Sequence, residues 1–445
     1  MTDWIGETFR SDVGWTHLET LVDIGNRMAG TTGERRGAEA TRAALAEVGA
    51  RNARLDTFDL QGWERVDSSL GPRDGTEAID CIALPRSPAA DATGELVDLG
   101  YGVAEDFAAA DVTDKVVMVA SNAPPDYGRF PHRREKYYHA VEHGAAGFVF
   151  RNHVEGCLAP TGSVGRDGAP IGEIPAVGVG KEAGTRLARK YEGETVTVAV
   201  DADIYEGTSQ NVHAELGPRT DDRVLVTSHV DGHDISEGAA DNAAGTAMLV
   251  EVARALSMRE DDLETRVEFI GFGAEEVGLC GSQYHDSVTD EDQVKVIVNC
   301  DGVVGGRTIQ AYTHTFAELE AALQRVGDRF DHPIRILSSE GFRGDQWPLV
   351  RWGVPGYFVS GFRDTEGRGY GHTEADTLDK LESRNLREQA ILLTALVADL
   401  ARSQVEIPHR TPAAVARSFA REGKVEGMKI VGDWPYEFDD PDEID

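Results

Sequence analysis

Apolar residues fall on one helical face twice within the first fifty positions. In THLETLVDIGNRMAG, Leu18, Leu21, Val22 and Ile24 share a face and Gly30 closes the run. From Arg35 to Val48 the apolar positions are Ala38, Ala43, Leu45, Ala46 and Val48, and Gly49 follows. ARLDTFDLQGW then alternates as a strand does. Between about 80 and 200 the texture changes: the β-branched runs VVMVA, GFVFRN and IPAVGVG alternate with Gly/Pro-rich connections, and a helical piece, KYYHAVEHGAA, separates the first two. This reads as a compact β-rich module inserted into a larger domain. Beyond about 205 the order becomes strand, helix, strand. NVHAEL and RVLVTSHV are strands, GTAMLVEVARAL is an amphipathic helix, and RVEFIGFG and VKVIVNCD are near-continuous apolar strands. AELEAALQRVGDRF, VPGYFVS and LREQAILLTALVADLARS add a helix, a strand and a long closing helix. Apolar strands alternating with helices predict the α/β class, a mixed, mainly parallel sheet sandwiched by helices. The expected divisions are 1–78, the inserted module at 79–203, the remainder of the main domain at 204–405, and an acidic arm at 406–445 that buries little.

Composition narrows the setting. At 445 residues and 40% hydrophobic, the chain can build a large core. No apolar run approaches the ~20 residues of a membrane span, and the start, MTDWIGETFRSDVGW, has neither the basic nor the apolar region of a secretory signal. Cys81, Cys157, Cys280 and Cys300 are widely spaced with no CxxC pair, as expected for buried free thiols in a reducing cytosol. A net charge of −34, from 78 acidic against 44 basic residues, argues against nucleic acid and anionic membranes as partners. The basic residues are mostly arginine, and an acid-rich, lysine-poor chain fits a salt-in halophile, where counterions screen self-repulsion.

Candidate chemistry is concentrated in the second half. His229 and Asp231 lie in VTSHVDG, Asp241 in GAADNAAG, Glu275 and Glu276 in FGAEEVGLCGS, Asp301 in VNCDGVVG and His372 in GYGHTEADT. His229, Glu275, Glu276 and Asp301 all follow predicted strands, the position at which open α/β sheets build sites. Two imidazoles, several carboxylates and a spare acid form the inventory of a two-metal hydrolytic site with N and O donors. Strand alternation places Asp231 on the same side as His229, where its carboxylate can orient the imidazole.

The motifs SHVDG, GAADNAAGTA, GFGAEEVGLCGS, NCDGVVG and GHTEADT resemble those of the M28 zinc peptidases, and the likeness runs from NRMAGTTGERRGAEA to about residue 400. The inserted module is similar to a protease-associated (PA) domain, which several M28 branches carry at this place. The resemblance implies a zinc-exopeptidase fold with two zinc ions, or cobalt or manganese in their stead. By motif, His229 and Asp301 would hold one ion, Glu276 and His372 the other, and Asp241 would bridge them. Glu275 would be the general base, and the Asp241–Asn242 peptide is expected to be cis. Two departures stand out. Gly371, not a tyrosine, precedes the last metal histidine, with Tyr370 one step back, and GDQWPL replaces the SDHxPF common among relatives, so Gln346 stands for a histidine.

The implied activity is exopeptidase cleavage of short peptides by a cytoplasmic enzyme, most simply an aminopeptidase, with room for a homo-oligomer. If Arg343 and Arg363 line the pocket they would favour a substrate carboxylate, and with it a carboxypeptidase or dipeptidase. Other amide hydrolases, an aminoacylase among them, would suit the same site. A glutaminyl cyclase or a metal-free binding protein is disfavoured by the complete ligand set.

Overall fold

The computed structural model describes residues 3–363 and 369–437. Its strands are β1 Arg51–Pro72, β2 Ile82–Ala83, β3 Ala90–Asp98, β4 Val116–Ala120, β5 Gly147–Arg151, β6 Ala176–Val179, β7 Thr195–Leu216, β8 Arg223–His229, β9 Arg266–Phe272, β10 Val294–Cys300, β11 Ile309–Tyr312, β12 Ile334–Leu337 and β13 Gly356–Gly361. Among the described residues they form one sheet in the order β12-β11-β13-β10-β8-β9-β7-β3-β4-β5-β6-β2, with β1 alongside β7. Two parallel blocks result. One runs β13, β10, β8, β9 and the other β3 to β6. The antiparallel strand β7 joins them, pairing with β9 at one end and β3 at the other.

The first block is covered on both faces, which is why its strands are apolar at nearly every position. Val224 and Val226 of β8 pack with the helices Val13–Ile24, Ala244–Ser257 and Ser383–Leu400, whereas Leu225 packs on the opposite side with Trp347, Leu349 and Phe419. The helix Ala244–Ser257 is rich in alanine and glycine and nearly all buried, so it lies close against the sheet. Thr31 caps the helix Thr32–Glu47 by accepting the amide of Glu34 at 3.2 Å. The preceding helix ends earlier than the apolar run implies, at Gly25 with φ 76° rather than at Gly30.

Two further differences from the sequence reading have local causes. β1 and β7 are each 22 residues long and pair from Arg51↔Glu215 to Pro72↔Val196. Their middle stretches, 64–69 and 201–208, are mostly polar and largely exposed and so lack the apolar run by which a strand is recognised. The second concerns residues 406–437, which do not form a loose arm. Thr411 and Pro412 start the helix Pro412–Arg421, and Val425–Ile430 follows. Phe419 is fully buried, 4.9 Å from the ring of Trp347 and 5.9 Å from that of Phe342. The acidic residues 438–445 lie outside the described residues. Phe419→Ala is expected to destabilise the protein by about 3–5 kcal/mol, read as a lower urea midpoint at unchanged slope. A solvated arm would leave the midpoint where it is.

The four cysteines are unpaired, as expected, but only Cys300 is buried, and Cys157 is exposed. Among the described residues no helix is long and apolar enough to cross a membrane.

Candidate active site

β8, β9 and β10 end side by side, and the chain beyond each end supplies a donor. His229 is the last residue of β8, Asp301 follows β10, and Glu275 and Glu276 lie just past β9. Asp241 comes from the turn before the helix Ala244–Ser257, and its peptide bond to Asn242 is cis, as the motif implies. His372 arrives from the segment after β13 in a left-handed conformation, φ 59°.

Among the described residues two donor clusters form, one of His229, Asp241 and Asp301, the other of His233, Glu276 and His372. His229 Nε2 lies 3.3 Å from Asp241 Oδ1 and 3.8 Å from Asp301 Oδ1. His372 Nε2 lies 3.2 Å from Asp241 Oδ2 and 3.3 Å from Glu276 Oε2. Asp241 therefore turns one oxygen to each cluster. The donor set fits a pair of cations, since His229 Nε2 and Glu276 Oε1 are buried without a hydrogen-bond partner. Burial opposes charge on His229, but Glu275, Asp231, Asp241 and Asp301 outweigh it and raise its pKa well above the ordinary imidazole value. Burial also works against an ionised Asp241, yet His229 and His372 draw its pKa well below the carboxylate range. Burial, with repulsion from Glu276, Asp345 and Asp301, lifts Glu275 well above that range. So much negative charge in one place calls for protons or for cations.

The supporting contacts come from Asp231, which the motif supplies in another role, and from groups that the motifs do not reveal. Asp231 is fully buried, and its two oxygens accept the amides of Glu275 and Glu276, both at 3.1 Å. Its main-chain carbonyl, 3.2 Å from His229 Nδ1, is nearer that ring than its carboxylate at 3.5 Å. The strand ends at His229, so alternation no longer governs where Asp231 points. Asp376 holds Asp241 by accepting the amides of Ala240 and Asp241 at 2.8 and 3.0 Å. Arg27, buried, donates to the carbonyls of Leu21, Val230, Glu237 and Gly238 and so ties down the segment between His229 and Asp241. His372 is fixed from the other half of the molecule: its Nδ1 lies 3.2 Å from the Thr161 carbonyl, and its own carbonyl accepts the Thr161 amide at 2.8 Å.

Asp241, Glu275, Glu276, Asp301 and His372 open onto a cavity of about 580 Å³, whose lining also includes Arg133, Arg134, Arg343 and Arg363. Residues 211–397 match the model of peptidase family M28, and residues 92–187 that of the PA domain. The chain thus carries an M28 peptidase segment and a PA segment.

The family resemblance reaches well beyond these segments. Aminopeptidase YwaD of Bacillus subtilis is 27% identical over 417 residues, 89% of this chain and 86% of that protein. Among solved structures, an aminopeptidase from Aneurinibacillus sp. strain AM-1 superposes with a TM-score of 0.69 at 25% identity, covering 92% of this chain and 98% of the other. A peptidase M28 precursor from Shewanella amazonensis SB2B shares the fold at a TM-score of 0.75 and 21% identity, over 92% and 97% of the two chains. The chain departs from the M28 motif pattern at two positions. The Tyr370 ring is partly exposed, with the Lys380 ammonium 5.3 Å from its centre, and does not line the cavity. Gln346 is buried below the sheet, where its side-chain oxygen accepts from Asn299 at 3.3 Å, and it too is absent from the cavity wall.

Proposed function

We propose that this protein is a two-zinc exopeptidase of the cytoplasm, an aminopeptidase acting on short peptides. The observation that carries the reading is the placement of Asp241, one oxygen toward His229 and the other toward His372. His229 and Asp301 would hold one ion, Glu276 and His372 the other, and cobalt or manganese would suit the same donors. When bound, zinc would supply a Lewis acid for the scissile carbonyl and the attacking water. Glu275 accepts the proton of that water and returns it to the leaving amine. Asp231 fixes the backbone that presents Glu275 and Glu276, and Asp376 fixes that of Asp241. The module at 79–203 supplies Thr161 to His372 and Arg133 and Arg134 to the wall, so it forms part of the site.

The test is hydrolysis of free-amine and N-acetylated peptides in molar KCl, each with and without a chelator. The salt is chosen because a charge of −34 repels itself in dilute buffer. Cleavage of only the free-amine peptides, from the N-terminus, is expected, with loss on chelation and recovery with zinc. Arg343 and Arg363 in the wall favour a second reading, in which a substrate carboxylate is bound. Cleavage of blocked peptides from the C-terminal end would replace the aminopeptidase with a carboxypeptidase or dipeptidase.

A further inference from the structure

His233 is the third member of the Glu276–His372 cluster, and nothing in the two-ion reading gives it a role. It lies two residues beyond Asp231, past the end of β8, and is only 4% exposed. Its ring meets that of His372 edge to face at 4.5 Å between centroids. Its Nε2 lies 2.9 Å from Glu276 Oε2, yet neither ring nitrogen takes part in a hydrogen bond. A buried imidazole whose one polar neighbour is that carboxylate is costly unless something else engages it. The flanking chain is held firmly in place. Gly232 donates to the Arg27 carbonyl at 3.2 Å. Asp234 is gripped by Arg65 through two hydrogen bonds of 3.0 and 2.8 Å. These contacts on both sides hold the ring against Glu276 and His372.

Separations within the site point to what the partner is. Two donors on one tetrahedral zinc, with bonds of ~2.0–2.1 Å, stand about 3.3 Å apart. The pairs His229–Asp241, His372–Asp241 and His372–Glu276 are at 3.3, 3.2 and 3.3 Å. His233 Nε2 stands closer still to Glu276, at 2.9 Å, and the donor atoms of His233, Glu276 and His372 all lie within 4.8 Å of one another, as donors around a common cation do.

We propose that His233 is a further protein ligand of the ion held by Glu276 and His372. The inference rests on the two-ion reading and makes the two positions unequal. One has four protein donors (His233, Glu276, His372 and Asp241) and the other three (His229, Asp301 and Asp241). A full set of four belongs to ions held for good, whereas three leave a coordination position open. The ion at His229 and Asp301 is then the exchangeable one that accepts substrate, and the ion at His233 is the last to leave.

The test uses the full chain labelled with 15N-histidine and loaded with 113Cd, counting imidazole nitrogens that show one-bond coupling to the metal. Three coupled rings are expected (His229, His233 and His372), with the His233 signal outlasting that of His229 as chelator is added. His233→Phe keeps a ring beside His372 but removes the nitrogens. It should bring the count to two and weaken the tighter site by more than the ~10–100-fold typical of outer partners. His233→Gln serves should the phenylalanine variant fail to fold. Two bound ions with only two coupled rings would overturn the role of His233 and leave the two-ion reading standing. One bound ion coupled to His233 would do the reverse, and one bound ion without that coupling would overturn both.

Discussion

Glu275→Gln is expected to lower kcat by about 10²–10⁴-fold while the protein keeps its metal. Glu275 lines the cavity but belongs to neither donor cluster. Its backbone is held by Asp231 through the same carboxylate that holds Glu276, so the side chain is presented beside the cations without being tied to them. Burial and the neighbouring Glu276, Asp345 and Asp301 raise its pKa well above the ordinary carboxylate range in the metal-free site. Glutamine has the same shape and reach but cannot hold the proton. KM should change little, because the substrate is gripped by other groups. The measurement is kcat beside metal content on one preparation. A variant with full metal and near-normal kcat would assign the base elsewhere, and Asp345, buried and with a pKa pushed up to about 7, chiefly by burial, would be examined next.

What the sequence reveals of this molecule follows from how each feature is encoded. β8, β9 and β10 are legible because strands covered on both faces must be apolar throughout, and the acids and histidine that interrupt them at their ends stand out. The ribbon of β1 and β7 is legible only in part: ARLDTFDLQGW and NVHAEL read as strands, whereas the stretches with Glu64, Arg65 and Asp67 and with Asp201, Asp203 and Glu206 do not. The docked C-terminal helices are hidden by the acidic residues beyond them, although the Thr411–Pro412 start and the spacing of Val415 and Phe419 signal a helix with a buried face. The site divides in the same way. His229, Asp241, Glu276, Asp301 and His372 carry side chains of the right chemistry in recognisable contexts. Thr161 cannot be found by such means, because it acts on His372 through backbone atoms and from a segment 211 residues away. Asp376 sits within GHTEADT but works by accepting amides, a role no residue type announces. His233 continues the two-residue spacing of His229 and Asp231, and that spacing is its one signal.

Asp241→Ala should empty both metal positions, a larger consequence than loss of any other donor in the site. Two dications ~3.5–4 Å apart repel strongly, and a carboxylate between them offsets part of that repulsion as well as serving each as a donor. Asp241 is placed for both tasks, with Oδ1 at 3.3 Å from His229 Nε2 and Oδ2 at 3.2 Å from His372 Nε2. Asp376 and Arg27 hold its surroundings through the backbone, so the alanine variant should retain its fold and lose only the carboxylate. Asp301→Ala is the control, since it removes a donor from the His229 side alone. Metal analysis after dialysis against a weak chelator distinguishes the two variants. Asp301→Ala should keep the ion at Glu276 and His372, whereas Asp241→Ala should keep neither and hydrolyse no peptide at a measurable rate. Equal metal loss from both variants would mean that Asp241 serves one cation only. The two clusters would then be separate sites, and no shared carboxylate would be left to hold two ions close enough to act on one carbonyl.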